Sequence, residues 1–205
     1  MCTNMPLKKP SDFQPALKDE YLTQVAQWLL EEWYATEDDL IRDTDTSYTR
    51  GTTRFGRQLQ RITNENFSGR HKWLSINNAG LDLVFSIGGV PCRFSNDSVE
   101  APTKRAVLEV HRYQMSLIED SEPGAAVRFC FVIDQGFGES LEPRVELLGF
   151  SEAGNVVCSW QSVSSVRTLV DVKAAPAEPV EITKPIVTPK RKDGDKETDD
   201  VIPAT

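Results

Sequence analysis

The fold is decided by the stretch Leu81-Asp82-Leu83-Val84-Phe85-Ser86-Ile87-Gly88-Gly89-Val90-Pro91-Cys92-Arg93-Phe94, which predicts a β-hairpin. Gly88 and Gly89 supply the positive φ angles of a two-residue type I′ turn, and alternating apolar residues flank them. The turn fixes the register, so three apolar cross-strand pairs share one face: Leu83 with Phe94, Phe85 with Cys92 and Ile87 with Val90. We expect that face to be core and the opposite face to be mainly polar.

The hairpin is predicted to belong to an antiparallel three-stranded meander. Its first strand, 71–76, is followed by the loop 77–80, which places Leu74 opposite Leu83 and Ile76 opposite Leu81. Pro91 has no backbone N–H, which predicts that the third strand has an exposed side or lies at the edge of the sheet.

A second meander is predicted from the strands 126–133, 144–150 and 155–160, because apolar residues alternate and the loop 151–154 joins the last two. That loop places Leu147 opposite Cys158. Between the meanders, the segment 102–120 carries apolar residues at helical spacing and predicts a helix. Its predicted apolar face consists of Ala106, Val110, Tyr113 and Leu117.

Two helices are predicted before the first strand, over 15–35 and 48–62, and Thr36 is predicted to cap a short acidic helical turn. The fold class is therefore α+β: a largely antiparallel sheet of about six strands, two three-stranded meanders separated by a helix, with the N-terminal helices packed on it. We expect a flexible N-terminus over 1–11 and a single domain over 12–172. The segment 173–205 is rich in proline and charge, lacks aromatic residues, and is predicted to be a disordered tail.

Composition narrows the class of protein. The formal net charge of −8 over 205 residues argues against a protein that coats nucleic acid non-specifically. The first ten residues lack the apolar core of a signal peptide and no apolar run is long enough to span a bilayer, so we expect a cytoplasmic protein without a membrane partner. The cysteines form no C-x-x-C pair, and Cys92, Cys130 and Cys158 are predicted to be reduced core residues.

A stripe of arginines on the second predicted helix is the candidate binding surface. At 100° per residue it lies opposite the apolar residues Tyr48, Phe55, Leu59 and Ile62. The stripe consists of Arg50, Arg54, Arg57 and Arg61. We expect the four guanidinium groups to project together to solvent and to contact an anionic partner, either nucleic acid or an acidic protein face. The alternative is a solvated surface neutralised by the upstream acids Glu37, Asp38, Asp39, Asp43 and Asp45.

The familiar catalytic and metal-binding patterns are incomplete. Asp43, Asp45 and Ser47 imitate the start of a calcium loop, but Tyr48 and Arg54 stand where glycine and glutamate are needed. The sequence Gly136-Phe137-Gly138 is interpreted as a hairpin loop, because a phosphate-binding loop needs a third glycine and a following helix. The two histidines and the scattered cysteines give no metal-ligand spacing, so no metal and no cofactor are predicted.

Two hypotheses about function remain open. The leading one is a non-enzymatic interaction or regulatory module, with a protein as the first candidate partner and nucleic acid as the second. The alternative is an enzyme acting on nucleic acid or a small molecule, with its site assembled from residues far apart in sequence, a cysteine–histidine pair included. Asp82 with Glu109-Val110-His111 resembles the acidic arrangement of metal-dependent nucleases, although the usual lysine is missing. Ionisable side chains converging in a deep pocket, particularly those of His111, Glu109 or Asp82, would favour the enzyme, whereas a filled core and flat surfaces would count against it. The sequence identifies neither the partner nor the oligomeric state.

Overall fold

The structure, a computed structural model, describes residues 7–115, 117, 122, 124–135 and 142–162. All of them lie in one compact unit, Met1–Val166. Within these residues the helices are α1 (Pro10–Phe13), α2 (Asp19–Asp39), α3 (Ser47–Phe67) and α4 (Arg105–Leu108), with a 3₁₀ turn at Arg112–Gln114. The strands are β1 (Leu74–Asn78), β2 (Val84–Ile87), β3 (Val90–Asn96), β4 (Arg128–Asp134), β5 (Arg144–Phe150) and β6 (Val156–Gln161).

The six strands form one mixed sheet in chain order, β1 to β6. Every neighbouring pair is antiparallel except β3 with β4, which are parallel. The predicted α+β fold with two antiparallel meanders is therefore confirmed, and the parallel pair joins them into one sheet. The predicted tail 173–205, Cys2 and the loop 136–138 lie outside the described residues.

The central hairpin has the predicted turn and register. Gly88 and Gly89 have φ angles of 56° and 87°, as a type I′ turn requires. Ile87 pairs with Val90, and Phe85 with Cys92. All six apolar residues of the predicted face belong to the main core, so the sequence interpretation of this face is confirmed.

The edge position predicted for the third strand is wrong, because β3 lies inside the sheet between β2 and β4. Pro91 is tolerated there because the parallel pairing starts one residue later, at Cys92 opposite Phe129. The buried Gln114 side chain bridges the strands at this point: its Nε2 donates to the carbonyl oxygens of Pro91 at 3.3 Å and Phe129 at 3.1 Å.

Two predicted registers are shifted, yet each shift is even. Leu74 pairs with Ile87 instead of Leu83, and Leu147 pairs with Trp160 instead of Cys158. An even shift keeps every side chain on its predicted face, so the core pattern survives. Cys158 lies opposite Gly149, where a Cβ on the glycine would come within 2.2 Å of the cysteine sulfur. The absence of a side chain at this glycine therefore makes room for Cys158.

The first face of the sheet, which carries Phe85, Phe131 and Leu147, packs with α2 and α3 in the main core. The predicted acidic turn after 35 is wrong because α2 continues to Asp39: Thr36 is fully buried and its hydroxyl donates to the carbonyl of Glu32 at 2.7 Å. The chain before α1 is also held, since the Ser159 amide donates to the Lys8 carbonyl at 3.2 Å. Lys8, within the N-terminus predicted to be flexible, is thus hydrogen-bonded to β6.

The second face of the sheet is buried as well, where a mainly polar surface was predicted. A small apolar cluster covers it, consisting of Val107, Cys130, Val132, Leu148 and Phe150. The long helix predicted over 102–120 is wrong. Between 105 and 115 the chain forms the single turn of α4, then extended backbone at Glu109 (φ −107°, ψ 145°), then the 3₁₀ turn. We call residues 105–115 the covering segment.

Among the described residues, no helix is long and apolar enough to cross a membrane.

Candidate functional site

The predicted arginine stripe lies at the interface of α3 with α2 instead of projecting together to solvent. Arg54 is only 5% exposed, its guanidinium carbon lies 3.3 Å from the centre of the Trp33 ring, and it forms an ion pair with Glu37. Burial lowers the pKa of Arg54, and the hydrogen bond to Glu37 opposes that shift. The predicted exposure of Arg54 is therefore wrong.

The other three arginines also point towards α2 or its C-terminal end. Arg57 pairs with Asp39 at 2.8 Å, and Arg61 pairs with Glu31 at 3.1 Å. The Arg50 Nε donates to the carbonyl of Leu40 at 3.2 Å. We call Arg50, Arg54, Arg57 and Arg61 the arginine ladder.

The buried stripe of α3 is rotated from the predicted one, which explains where the ladder lies. Tyr48, predicted to dock on the sheet, is 78% exposed. Arg54, Gln58 and Ile62, each four residues apart, are buried instead. The Gln58 amide enters the core because its Nε2 donates to the carbonyl of Leu29 at 3.0 Å. A polar residue that finds a buried acceptor can thus lie on the inner face of a helix.

A second ionic cluster lies on the other face of the sheet and unites residues that are distant in sequence. Arg93 of β3 forms an ion pair with Asp82, and its Nη1 donates to the carbonyl of Glu109 at 3.2 Å. His111 faces the same carboxylate, with Nε2 at 3.2 Å from Asp82 Oδ2. The structure therefore brings the Asp82 and His111 side chains together near the backbone carbonyl of Glu109, whereas the Glu109 carboxylate pairs with Arg105 at 2.8 Å. The convergence of side chains that would favour an enzyme is only partly met in the described residues.

Both nitrogens of the His111 ring are engaged. Nδ1 accepts a hydrogen bond from the Tyr113 amide at 3.3 Å, and Nε2 faces Asp82. A neutral imidazole has one donor and one acceptor, so this arrangement places the proton on Nε2 and occupies the only lone pair. Burial lowers the pKa of His111, Arg93 and Arg112 act in the same direction, and Asp82 opposes them. Both ring nitrogens of this histidine are thus engaged within the protein, and Nδ1 caps the 3₁₀ turn.

The cysteine–histidine alternative meets a similar obstacle. Cys92, Cys130 and Cys158 are free and buried, which confirms their prediction as reduced core residues. Burial raises the pKa of Cys130 and of Cys158 to about 12, and it raises the pKa of Cys92 as well. A thiol must ionise to act as a nucleophile, so these three are inert at neutral pH.

A second arginine holds the covering segment from the neighbouring strand. Arg128 of β4 is 4% exposed, its Nη1 donates to the carbonyl of Leu108 at 2.6 Å, and its guanidinium lies 4.4 Å from the centre of the Phe150 ring. Within the described residues it forms no ion pair with a carboxylate. Arg93 and Arg128 bind backbone carbonyls of the covering segment, and Gln114 of that segment binds backbone carbonyls of the strands beneath it. We call these three residues the clamp.

The clamp fixes a backbone that exposes apolar side chains among charged ones. Five of the ten exposed large apolar side chains of the described residues lie on this segment or beside Asp82. They are Leu81 (87% exposed), Leu108 (52%), Val110 (43%), Tyr113 (36%) and Met115 (53%). We call these five residues the apolar patch. Leu81 adjoins Asp82 in the chain, and Leu108 and Val110 adjoin Glu109, so these apolar residues lie next to the ionic cluster along the backbone.

Sequence reasoning missed the apolar patch for a specific reason. Val110 and Tyr113 were assigned to the buried face of a helix that does not form. Leu81 was predicted to pair with Ile76, but Ile76 pairs with Phe85. The signal that could have found the patch is the pair of strand arginines on the supposedly polar face, Arg93 and Arg128, which need acceptors once they are buried.

Comparison of the chain with protein-family models, with curated proteins and with solved structures finds no match. In the part of the chain that the structure describes, no three histidine, cysteine or acidic side chains come together as a metal site.

Proposed function

We propose that this protein is a non-enzymatic interaction module that binds a protein partner through the apolar patch. The observation that carries the proposal is the exposure of Leu81, Val110 and Met115 on a backbone that the buried clamp holds in place. Exposed apolar side chains gathered in one place are typical of protein-binding surfaces. Methionine and tyrosine are both enriched in such surfaces.

The clamp supports this function because it orders the surface before a partner arrives. Binding loses affinity when a loop must be ordered during association. Here Arg93 and Arg128 already bind the carbonyls of Glu109 and Leu108, and the His111 ring already caps the 3₁₀ turn. The polar groups that were candidates for catalysis are therefore used to present the apolar patch.

The arginine ladder stays the second candidate surface, with nucleic acid or an acidic protein face as its predicted ligand. The geometry supports it less well, because Arg54, Arg57 and Arg61 face carboxylates of α2. An anionic ligand there has to displace Glu31 or Asp39 and approach the remaining acids of that helix. Three free buried cysteines support a reducing compartment, and we propose that the module acts in the cytoplasm.

Differential capture tests the proposal. The bait is the full chain, immobilised in lysate of the cells that produce it, compared with the double variant Val110→Asp/Met115→Asp. The matched control is Ile41→Asp/Tyr48→Asp, which places the same charges on apolar residues elsewhere that are more exposed than Val110 and Met115. We expect the wild type and the control to capture the same proteins and the patch variant to lose them. Identical capture by all three chains would contradict the proposal.

A further inference from the structure

We infer that the partner segment occupying the apolar patch is an acidic peptide that carries apolar side chains. This inference rests on the proposed function and adds the chemistry of the partner. It is drawn from the charges that surround the patch, which differ in sign from the net charge of the whole chain.

The described groups around the apolar patch carry a small excess of cations, although the chain carries a net charge of −8. Five cations lie on the covering segment, next to it or directly beneath it: Arg93, Lys104, Arg105, Arg112 and Arg128. Four carboxylates lie among them: Asp82, Asp97, Glu100 and Glu109. Arg93 pairs with Asp82 and Arg105 with Glu109, so the excess of positive charge belongs to Lys104, Arg112 and Arg128. A positive region on an acidic protein attracts and orients an acidic partner.

Two exposed arginines flank the apolar side chains and are available to a partner. The Arg105 side chain is 85% exposed, and its carboxylate partner at 2.8 Å is Glu109 of the same helical turn. Arg112 is exposed and lies with its guanidinium carbon 4.9 Å from the centre of the Tyr113 ring. A peptide carboxylate can therefore bind a guanidinium group while the neighbouring peptide side chains contact Val110 or Met115.

The buried clamp adds charge that its own contacts do not cancel. Arg128 binds a neutral carbonyl and an aromatic ring, and within the described residues it has no carboxylate partner. A charge inside a protein is screened less than one in water, so its field extends to the nearby surface. Acidic groups of a partner bound over the covering segment interact favourably with the charge of Arg128 without contacting its side chain.

The apolar side chains favour a peptide over nucleic acid. Leucine, valine and methionine offer nothing to phosphates, and single strands bind mainly by stacking bases on aromatic rings. Tyr113 is the aromatic residue of the patch, and its ring already lies against His111, with centroids 5.4 Å apart, and against Arg112. An acidic peptide with apolar side chains matches both the charge and the composition of this surface.

Fluorescence anisotropy with three labelled probes tests the inference. The probes are a short synthetic peptide that alternates glutamate with leucine, the same peptide with lysine in place of glutamate, and single-stranded oligothymidylate. We expect the full chain to bind the glutamate peptide most tightly, with an affinity that falls as salt is added. The double variant Arg105→Glu/Arg112→Glu should weaken that binding by about tenfold. Arg42→Glu, on an exposed arginine after α2, should leave it unchanged.

Three results would overturn the inference: equal or tighter binding of the lysine peptide, tighter binding of the oligonucleotide, or no effect of the Arg105→Glu/Arg112→Glu change. Failure of all three probes to bind would overturn it too. The capture experiment distinguishes this failure from failure of the proposed function. If capture still depends on Val110 and Met115, the apolar patch is the contact surface and its partner is not acidic.

Discussion

The two faces of the sheet are covered by different means, and the arginines on each face show the difference. On the first face, α2 and α3 bury a continuous apolar core, and the arginine ladder lies between the two helices opposite acids. On the second face, a segment with little regular structure is held by arginines that rise from β3 and β4 and bind its carbonyls.

The comparison shows that the group an arginine binds decides how much of its positive charge remains available to another molecule. In the arginine ladder each of Arg54, Arg57 and Arg61 meets a carboxylate, so the charge is largely cancelled where it lies. In the clamp, Arg128 meets a carbonyl, which satisfies one hydrogen bond and leaves the charge in place. Arg128 is therefore the clamp residue whose charge stays available to a partner, whereas Arg93 pairs with Asp82 as the ladder arginines pair with their acids.

The largest expected effect is a loss of stability, which should be greater in the main core of the first face than in the small apolar cluster of the second face. Phe85→Ala on the first face should lower the free energy of unfolding by roughly 3 to 5 kcal/mol, because the ring is fully buried. Val107→Ala under the covering segment removes less apolar volume and should cost about 1 to 2 kcal/mol. Urea denaturation measures both. Equal losses would show that the second face contributes as much to stability as the first.

The second-largest effect is the loss of stability expected when Arg93 of the clamp is replaced. Arg93→Met removes the ion pair with Asp82 and the hydrogen bond to the Glu109 carbonyl, at a cost of about 2 to 3 kcal/mol. We expect amide exchange to accelerate in the covering segment and to stay nearly unchanged in β4 and β5. Arg54→Met, the matched change in the ladder, should accelerate exchange in α2 and α3 instead. Uniform acceleration by both variants would contradict the separation of the two faces.

A smaller effect concerns pH. Burial keeps the pKa of His111 below its ordinary value of 6.5, with Asp82, Arg93 and Arg112 as the charged groups around it. The unfolded chain therefore takes up this proton first as the pH falls, so the contribution of His111 to stability is complete above pH 6.5 and is lost below it. Protonation of Nδ1 also removes the acceptor of the Tyr113 amide.

Histidine titration by NMR tests this prediction. We expect the His111 signals to titrate at a pH below 6.5 and the Tyr113 amide to shift with them. A His111 pKa above 6.5 would mean that the charge of Asp82 outweighs burial, and the predicted loss of stability below pH 6.5 would then be wrong.

The smallest effect belongs to the exposed part of the ladder. The Arg57 and Arg61 side chains are each 33% exposed, and exposed ion pairs contribute about 0 to 1 kcal/mol. Arg57→Ala should therefore change stability by less than Arg93→Met, and added salt should reduce the difference further. A double-mutant cycle with Asp39→Ala measures the pair itself. A coupling energy of several kcal/mol would contradict its description as an exposed pair.

Much of the first face could be predicted from local sequence. The two glycines of the hairpin turn fix Phe85 opposite Cys92 without any knowledge of distant residues. The register of β1 with β2 and of β5 with β6 depends on contacts outside the loops, such as Cys158 against Gly149, and was predicted incorrectly. The faces were still correct because side chains alternate with a period of two.

The second face depends on long-range partners, and for that reason the sequence did not reveal it. The spacing of Val110 and Tyr113 favours a helix, but helical backbone bonds compete with the arginine side chains that bind the carbonyls of Leu108 and Glu109. The pairing of β3 with β4 joins residues more than thirty positions apart in the chain, such as Cys92 with Phe129. Asp82, Glu109 and His111 were recognised as a possible cluster, whereas the arginines that organise it were not.

The most direct test of the central claim, that the covering segment and not the arginine ladder is the contact surface, is the footprint of the acidic peptide on the full chain. Backbone amide shifts recorded by NMR during titration with the glutamate–leucine peptide report where it binds. We predict changes at Leu81, Asp82 and residues 105–115, with Arg57 and Arg61 of α3 unaffected. Changes confined to α3, or the absence of any localised change, would contradict the claim.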